Sequence, residues 1–353
     1  MTASTIQIDL VSDTATRPCK AMRHAMAEAP VGDEQRGEDP SVNALNERVA
    51  DLLGQERALF LPSGTMCNQI ALAVHCHPGD EVIAASGAHI IASEGAGAAV
   101  FARSVIRPIA SANGIFTADQ LQEAIRPGRV KAPRSRVVAV EQTNNRGGGS
   151  VWPLDVLAGI IEGARKGDLR LHMDGARLMN AVVASGVEAR AYAAPFDSVW
   201  LDLSKGLGCP VGAVLAGSSA FIEEADVWKH RFGGAMRQAG IIAAAGLYAL
   251  DHNVERLAED HANARAFAAR IAEVPGVAVL NPAVETNLVF FDVAATALTA
   301  REISNRLMEQ GIRIGVESPY VMRAVFHLDV DADQAKVAAE ALARAAVGPV
   351  SPG

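Results

Sequence analysis

The chain has 353 residues, half of them apolar and a fifth charged, proportions ordinary for a globular fold large enough to hold a sizeable core and a smaller second domain. Its net charge of −8 offers no basic stripe to neutralise phosphates, so no nucleic-acid partner is expected. No run reaches the roughly 18 uninterrupted apolar residues needed to cross a bilayer, so no membrane partner is expected either.

The opening stretch Met1–Asp9 is polar and lacks the basic-then-apolar order of a secretory leader, which makes a cytoplasmic location the expectation. Cys19, Cys67, Cys76 and Cys209 are scattered, with neither a C-x-x-C pair nor zinc-ligand spacing. Buried thiols in a reducing compartment, and no metal site, follow from that spacing.

Taken in chain order, no internal repeat or low-complexity tract interrupts the pattern. Ser41–Leu53 has apolar residues at three- and four-residue spacing, as an amphipathic helix requires. Short β-branched or apolar runs then alternate with helical segments. The predicted strands are Ala58–Leu61, Glu81–Ala84, Arg136–Glu141, Leu169–Met173, Ser198–Leu203 and Gly212–Ala216, with a helix predicted over Pro153–Lys166. This alternation predicts an α/β fold with a mainly parallel sheet covered by helices. One long Ala-rich helical stretch is expected over Arg237–Ala272. Beyond it, strands at Asn287–Val293 and Val321–His327 and helices at Ala300–Gln310 and Ala332–Ala346 form a small C-terminal α+β domain. The expected division is an N-terminal segment 1–40, a large domain 41–250 and a small domain 251–353.

Three motifs carry chemistry. Ser204-Lys205-Gly206-Leu207-Gly208 follows an apolar strand directly. A lysine there is either a snorkelling strand-end side chain or a partly desolvated amine suited to condensing with an aldehyde. Asp174, in His172-Met173-Asp174-Gly175-Ala176-Arg177, also ends a short apolar strand. It either caps the following helix or supplies the carboxylate that keeps a cofactor's pyridine nitrogen protonated. Pro62-Ser63-Gly64-Thr65-Met66 leads from a strand into a helix, where free N–H groups and small hydroxyls form a phosphate cradle. It has neither the P-loop lysine nor the dinucleotide glycine spacing, which argues against a nucleotide and against a nicotinamide dehydrogenase.

These segments, with Asp9-Leu-Val-Ser-Asp-Thr14, Gly37-Glu-Asp-Pro40, Pro210-Val-Gly212 and Met236-Arg-Gln-Ala-Gly240, stand in an order that resembles the low-specificity L-threonine aldolases. The resemblance runs from about residue 9 to about residue 330. It implies fold type I of the pyridoxal 5′-phosphate enzymes, a large domain built on a sheet of the seven-stranded type, and the N-terminal segment contributing to the active site. The implied reaction is that of a carbon–carbon lyase, cleaving a threonine-like β-hydroxy-α-amino acid to glycine and an aldehyde. Homodimers or homotetramers with shared active sites are implied as well.

By the same resemblance Lys205 holds the cofactor, Asp174 pairs with its ring nitrogen, and Arg177 lies beside the ring. Ser63, Gly64 and Thr65 form the phosphate loop, His89 stacks on the ring, and Arg237 lies near the cofactor. Ser12 and Arg323 grip the substrate carboxylate, a task suited to the guanidinium fork; the plainer alternatives are a turn residue and a surface ion pair. Glu94 falls on a family-type glutamate that is either functional or structural.

Four departures bear on the substrate. Asn144, in Glu141-Gln-Thr-Asn-Asn145, stands where the family commonly has a histidine, and an amide orients a hydroxyl without accepting its proton. The base is then His89, a water or another route. Arg36 replaces the usual loop tyrosine, Ser93 replaces an aromatic, and His230 replaces a lysine. Arg36 and Asn144 read either as a preference for a polar substituent such as the carboxylate of 3-hydroxyaspartate, or as drift in loop contacts. The rival activities are a β-eliminating lyase or aminotransferase on the same scaffold, and a non-catalytic cofactor-binding homologue.

Overall fold

A computed structural model describes residues 6–128, 130–281 and 283–347. The chain divides into two compact units, residues 18–254 and residues up to Arg17 together with those from Glu255 onward. Residues 18–40 therefore pack within the larger unit, and of the described N-terminal residues only 6–17 join the C-terminal part.

After a three-residue strand β1 (Ile8–Leu10), the chain builds the sheet of the larger unit. Its strands are β2 (Arg57–Leu61), β3 (Glu81–Ala85), β4 (Val105–Ile109), β5 (Ser135–Glu141), β6 (Arg170–Gly175), β7 (Ser198–Asp202) and β8 (Ala213–Gly217), in the spatial order β2-β8-β7-β6-β5-β3-β4. β8 alone runs antiparallel to its neighbours. β3, β7 and β8 are buried along their whole length, as an apolar run covered on both faces requires. One face is covered by the helices Gly64–His75 and Ser219–Arg231, whose Cys67, Ile70, Ala71, Phe221 and Ala225 pack on Leu59, Trp200 and Leu215.

Local chemistry sets the helix ends. Asp39 caps the helix Pro40–Leu53 by accepting from Val42 N at 3.0 Å, Pro40 needs no N–H at the first turn, and Gly54 closes it with φ +67°. Ser63 caps Gly64–His75 by accepting from Met66 N at 3.2 Å. The segment between β7 and β8 is a hairpin loop pinned across its base. Leu203 N donates to Gly212 O at 3.1 Å, Cys209 N to Leu203 O at 3.0 Å, and Gly208 N to Lys205 O at 2.9 Å.

The smaller unit has a five-stranded sheet in the order β1-β11-β12-β10-β9, where β9 is Ala278–Val279, β10 Leu288–Asp292, β11 Ile312–Val316 and β12 Val321–Val325. Its core gathers Phe267, Phe291, Phe326, Leu307 and Leu342. The single helix expected over Arg237–Ala272 is two, Gly240–His252 and Leu257–Ile271, one in each unit. Asn253 ends the first, its side-chain amide donating to Leu207 O at 2.7 Å. Of the four cysteines, none in a disulfide, Cys67, Cys76 and Cys209 are buried; Cys19 is exposed, contrary to expectation.

Candidate active site

Because β8 is the one reversed strand, the carboxyl ends of β2, β3, β5, β6 and β7 share one edge of the larger sheet, where open α/β sheets bind ligands. Across the central strands Glu141, Asp174 and Trp200 stand in register, so their side chains project to one face. The helix Gly64–His75 packs over that face and brings Asn68 into the row.

Trp200 is the hub. The Lys205 Nζ lies 5.7 Å from its ring centroid, and a Cβ built on Gly64 would collide with the far edge of the same indole. Only glycine lets the start of that helix lie against the ring. The indole Nε1–H donates to Asn68 Oδ1 at 2.7 Å, and Asn68 Nδ2 donates to Asp174 Oδ2 at 2.8 Å. Asp174 is buried and its other oxygen accepts from Ala176 N at 3.0 Å. Asp174 faces the strand-end edge and takes the Ala176 N–H in a local turn, but it does not cap the next helix, which begins at Leu178 with no side-chain cap. Lys205, with 17 % of its side chain exposed, pairs with Asp202 Oδ2 at 2.9 Å. Asp202 in turn accepts from Ser204 N and Oγ at 2.7 and 2.8 Å.

A second group adjoins this one. His89, Glu94 and Asp174 each place a polar atom within 4.8 Å of the others. His89 Nδ1 is 2.8 Å from Glu94 Oε1, which also accepts from Asn68 Nδ2 at 2.7 Å. The Glu94 hydrogen bond raises the His89 pKa, and burial raises that of Glu94. Glu141 takes the backbone N–H groups of His89 and Asn145, each at 2.8 Å. Burial, reinforced by the Asp174 charge, pushes Glu141 up to about 7. Asn68, Trp200, Asp202 and Glu141 were not chosen from the sequence as site residues. The available signal was a polar or aromatic residue interrupting apolar runs at Asn68 and Asp202.

The other predicted residues fall in three places. Arg177 is buried, and its N–H reaches Gln142 O at 3.1 Å while Gln142 N reaches Asp174 O at 2.7 Å, so it flanks the aspartate. Asn144 is also buried, but its Oδ1 accepts from Gly147 N at 2.7 Å and its amide packs against Gly114. The oxygen expected to orient a substrate hydroxyl is thus used by its own loop. Arg36 and Arg237 meet at Asp33, 3.8 and 3.0 Å away, and both are largely exposed. In the smaller unit Ser12 caps a short turn, accepting from Thr14 N at 3.2 Å. Arg323 is a neighbour there, reaching Val11 O at 3.3 Å and pairing with Glu317 at 3.1 Å.

The lysine and the carboxylate thus stand at the strand-end edge beside a helix-start loop, and residues 9–296 match the beta-eliminating lyase family, to which this chain belongs. Within that family it is similar to the low specificity L-threonine aldolase of Escherichia coli K12, with 43% identity over 94% of this chain and 97% of the other. In structure it is similar to an L-allo-threonine aldolase described as putative, from Listeria monocytogenes (TM-score 0.79, 22% identity, 97% of each chain). It is also similar to SPT with PLP (TM-score 0.73, 14% identity, 98% of this chain and 90% of the other). The fold is fold type I of the pyridoxal-phosphate enzymes.

Proposed function

We propose that this chain is an aldehyde-lyase that cleaves an L-β-hydroxy-α-amino acid of the threonine or allo-threonine kind to glycine and an aldehyde, using pyridoxal 5′-phosphate. The observation that carries the reading is the convergence on Trp200 of the Lys205 amine, the Gly64 helix start and, through Asn68, the Asp174 carboxylate. The donor set suits that cofactor. The Lys205 amine would meet its aldehyde, the Asp174 carboxylate its ring nitrogen, and the first N–H groups of the helix at Gly64 and Thr65, with Ser63, its phosphate. When bound, the cofactor supplies a conjugated ring that accepts the electron pair of the broken Cα–Cβ bond.

The protein's share is to bind, orient and move protons. Asp174 holds a proton on the ring nitrogen, and Arg177 and Arg237 add positive charge near the cofactor. His89 donates Nδ1–H to Glu94, which leaves Nε2 to accept the β-hydroxyl proton, and Glu94 then stabilises the imidazolium. Of the three routes open for that proton, His89, a water or another path, this reading takes His89. Ser12 and Arg323 bind the substrate carboxylate. Arg36, drawn to Asp33, supports the reading of loop drift and a neutral β-substituent.

The test is the absorption spectrum of the purified protein with and without glycine, followed by product analysis. A cofactor band that shifts on adding glycine, with glycine and an aldehyde as products, supports the reading; ammonia with a keto acid, or amino-group exchange, overturns it. Lys205→Ala is expected to lose the band and to fall to background turnover. Rates on threonine, allo-threonine and phenylserine are expected to exceed that on 3-hydroxyaspartate; the reverse order would assign Arg36 and Asn144 to a charged substituent. We read the protein as a cytoplasmic homodimer or homotetramer with shared active sites. Among the described residues no helix is long and apolar enough to cross a membrane. A monomeric mass by light scattering would sink the shared-site part.

A further inference from the structure

Behind Asp174 a line of buried polar side chains runs through the larger unit. Asn68, His172 and Ser198 are fully buried, and His75 nearly so. Asn68 Oδ1 is 2.9 Å from His172 Nε2, His172 Nδ1 is 2.8 Å from Ser198 Oγ, and Ser198 Oγ is 2.8 Å from His75 Nε2.

Every proton in this line is fixed by one indole. Trp200 Nε1–H can only donate, so the atom of Asn68 facing it is the oxygen. The Asn68 NH₂ therefore faces Glu94 and Asp174, which as carboxylates accept both of its hydrogens. Since Asn68 Oδ1 cannot donate, His172 must carry its proton on Nε2, and its Nδ1 is bare. Ser198 has one hydroxyl proton and gives it to that bare nitrogen, so His75 must donate to Ser198 from Nε2. Burial keeps both imidazoles neutral, with pKa values lowered to about 3 for His172 and about 4 for His75.

We propose that Asn68, His172 and Ser198 are positioning residues for the cofactor: the line locks the Asn68 amide so that one NH₂ group orients both the Asp174 carboxylate and Glu94, the partner of His89. This rests on the reading of Asp174 as the ring-nitrogen partner. Without the lock, the amide turns over and sets its oxygen against two carboxylates, which is repulsive on both sides. A single amide thus ties the cofactor's carboxylate to the acid–base pair.

Histidine ¹⁵N spectra of the apoenzyme test the proton order without any cofactor. His172 and His75 are expected as neutral Nε2–H tautomers from pH 5.5 to 8, and a bare Nε2 on His172 would overturn the proposal. Equilibrium binding of pyridoxal 5′-phosphate then tests the positioning. Asn68→Leu is expected to raise the dissociation constant by about ten-fold, the scale of one hydrogen bond to a charged group. Ser198→Ala, which leaves the bare His172 Nδ1 without its donor, is expected to raise it a few-fold and to be reversed by Ser198→Thr. Should Asn68→Leu fail to fold, the Ser198 pair decides. If Ser198→Ala only lowers the melting temperature and leaves binding unchanged, the line is structural packing and the proposal fails. Asp174→Ala is the control. If it too binds the cofactor as the wild type does, the reading of Asp174 fails first; if it binds far more weakly while the Asn68 and Ser198 variants do not, only the positioning role fails.

Discussion

Glu141 is buried at the end of β5 with an Asp174 carboxylate beside it, and its pKa of about 7 lies well above the value of ~4.3 for an exposed glutamate. The folded apoprotein therefore binds more protons than the unfolded chain between those two values, so this group's contribution makes stability fall as pH rises from about 4.5 to above 7. The raised His89 and Glu94 act in the same direction. Glu141→Gln is expected to flatten that fall, so the melting temperature of the variant relative to wild type rises between pH 5 and pH 8; a pH-independent difference would show that Glu141 is ionised throughout. At His89, replacement by Asn is expected to lower kcat by ~10²–10⁴-fold, the usual worth of a general base, with cofactor affinity changed far less. Lys205 and Asp174 were legible in the sequence because each closes an apolar strand run. Asn68 and Trp200 were not, since they lie 132 positions apart and only the packing of the helix over β7 brings them together.

The helix that starts at Gly64 shows how an element constrains the site. Its backbone lies against the Trp200 ring, so Gly64→Ala forces the helix start to move away from the indole. Overpacking of that kind costs about 1–3 kcal/mol, and the variant is expected to melt lower and to bind pyridoxal 5′-phosphate more weakly. Unchanged melting and binding would show that the loop accommodates the methyl group freely. The buried strands could be read directly, to within a residue or two, because a sheet covered on both faces selects continuous apolar runs. β4, with Pro108 and exposed Val105 at the sheet edge, lacks that pattern, β1 and β9 are too short to show one, and β11, with Arg313 and Gly315 among its apolar residues, was not read either. The break after His252 was hidden because Asn253 ends the helix through a contact with Leu207, 46 positions away.

For the molecule as a whole, a cofactor that binds the folded state alone stabilises it by mass action, about 2.7 kcal/mol at a hundred-fold excess over its dissociation constant. The melting temperature of the apoprotein is expected to climb steadily with added pyridoxal 5′-phosphate. A midpoint that ignores the cofactor would mean that the strand-end row does not hold it. The fold class could be read because its alternation of strand and helix leaves a strong periodic signal. The placement of Ser12 and Arg323 side by side could not, since β1 and β12 meet only through the smaller sheet, three hundred residues apart in the chain.

The stapled loop between β7 and β8 has a kinetic corollary. With its two stems tied to each other, the main chain around position 205 is held from swinging aside, and the lysine's travel is confined to torsions about its own methylene groups. Such rotations take picoseconds to nanoseconds where a side chain is free to turn. The slow events of a catalytic cycle must then lie elsewhere, in bond breaking or in the departure of product. The amide hydrogens of Leu203 and Cys209, which tie the base of the loop, should exchange as reluctantly as those of the strands they join, whether or not substrate is present.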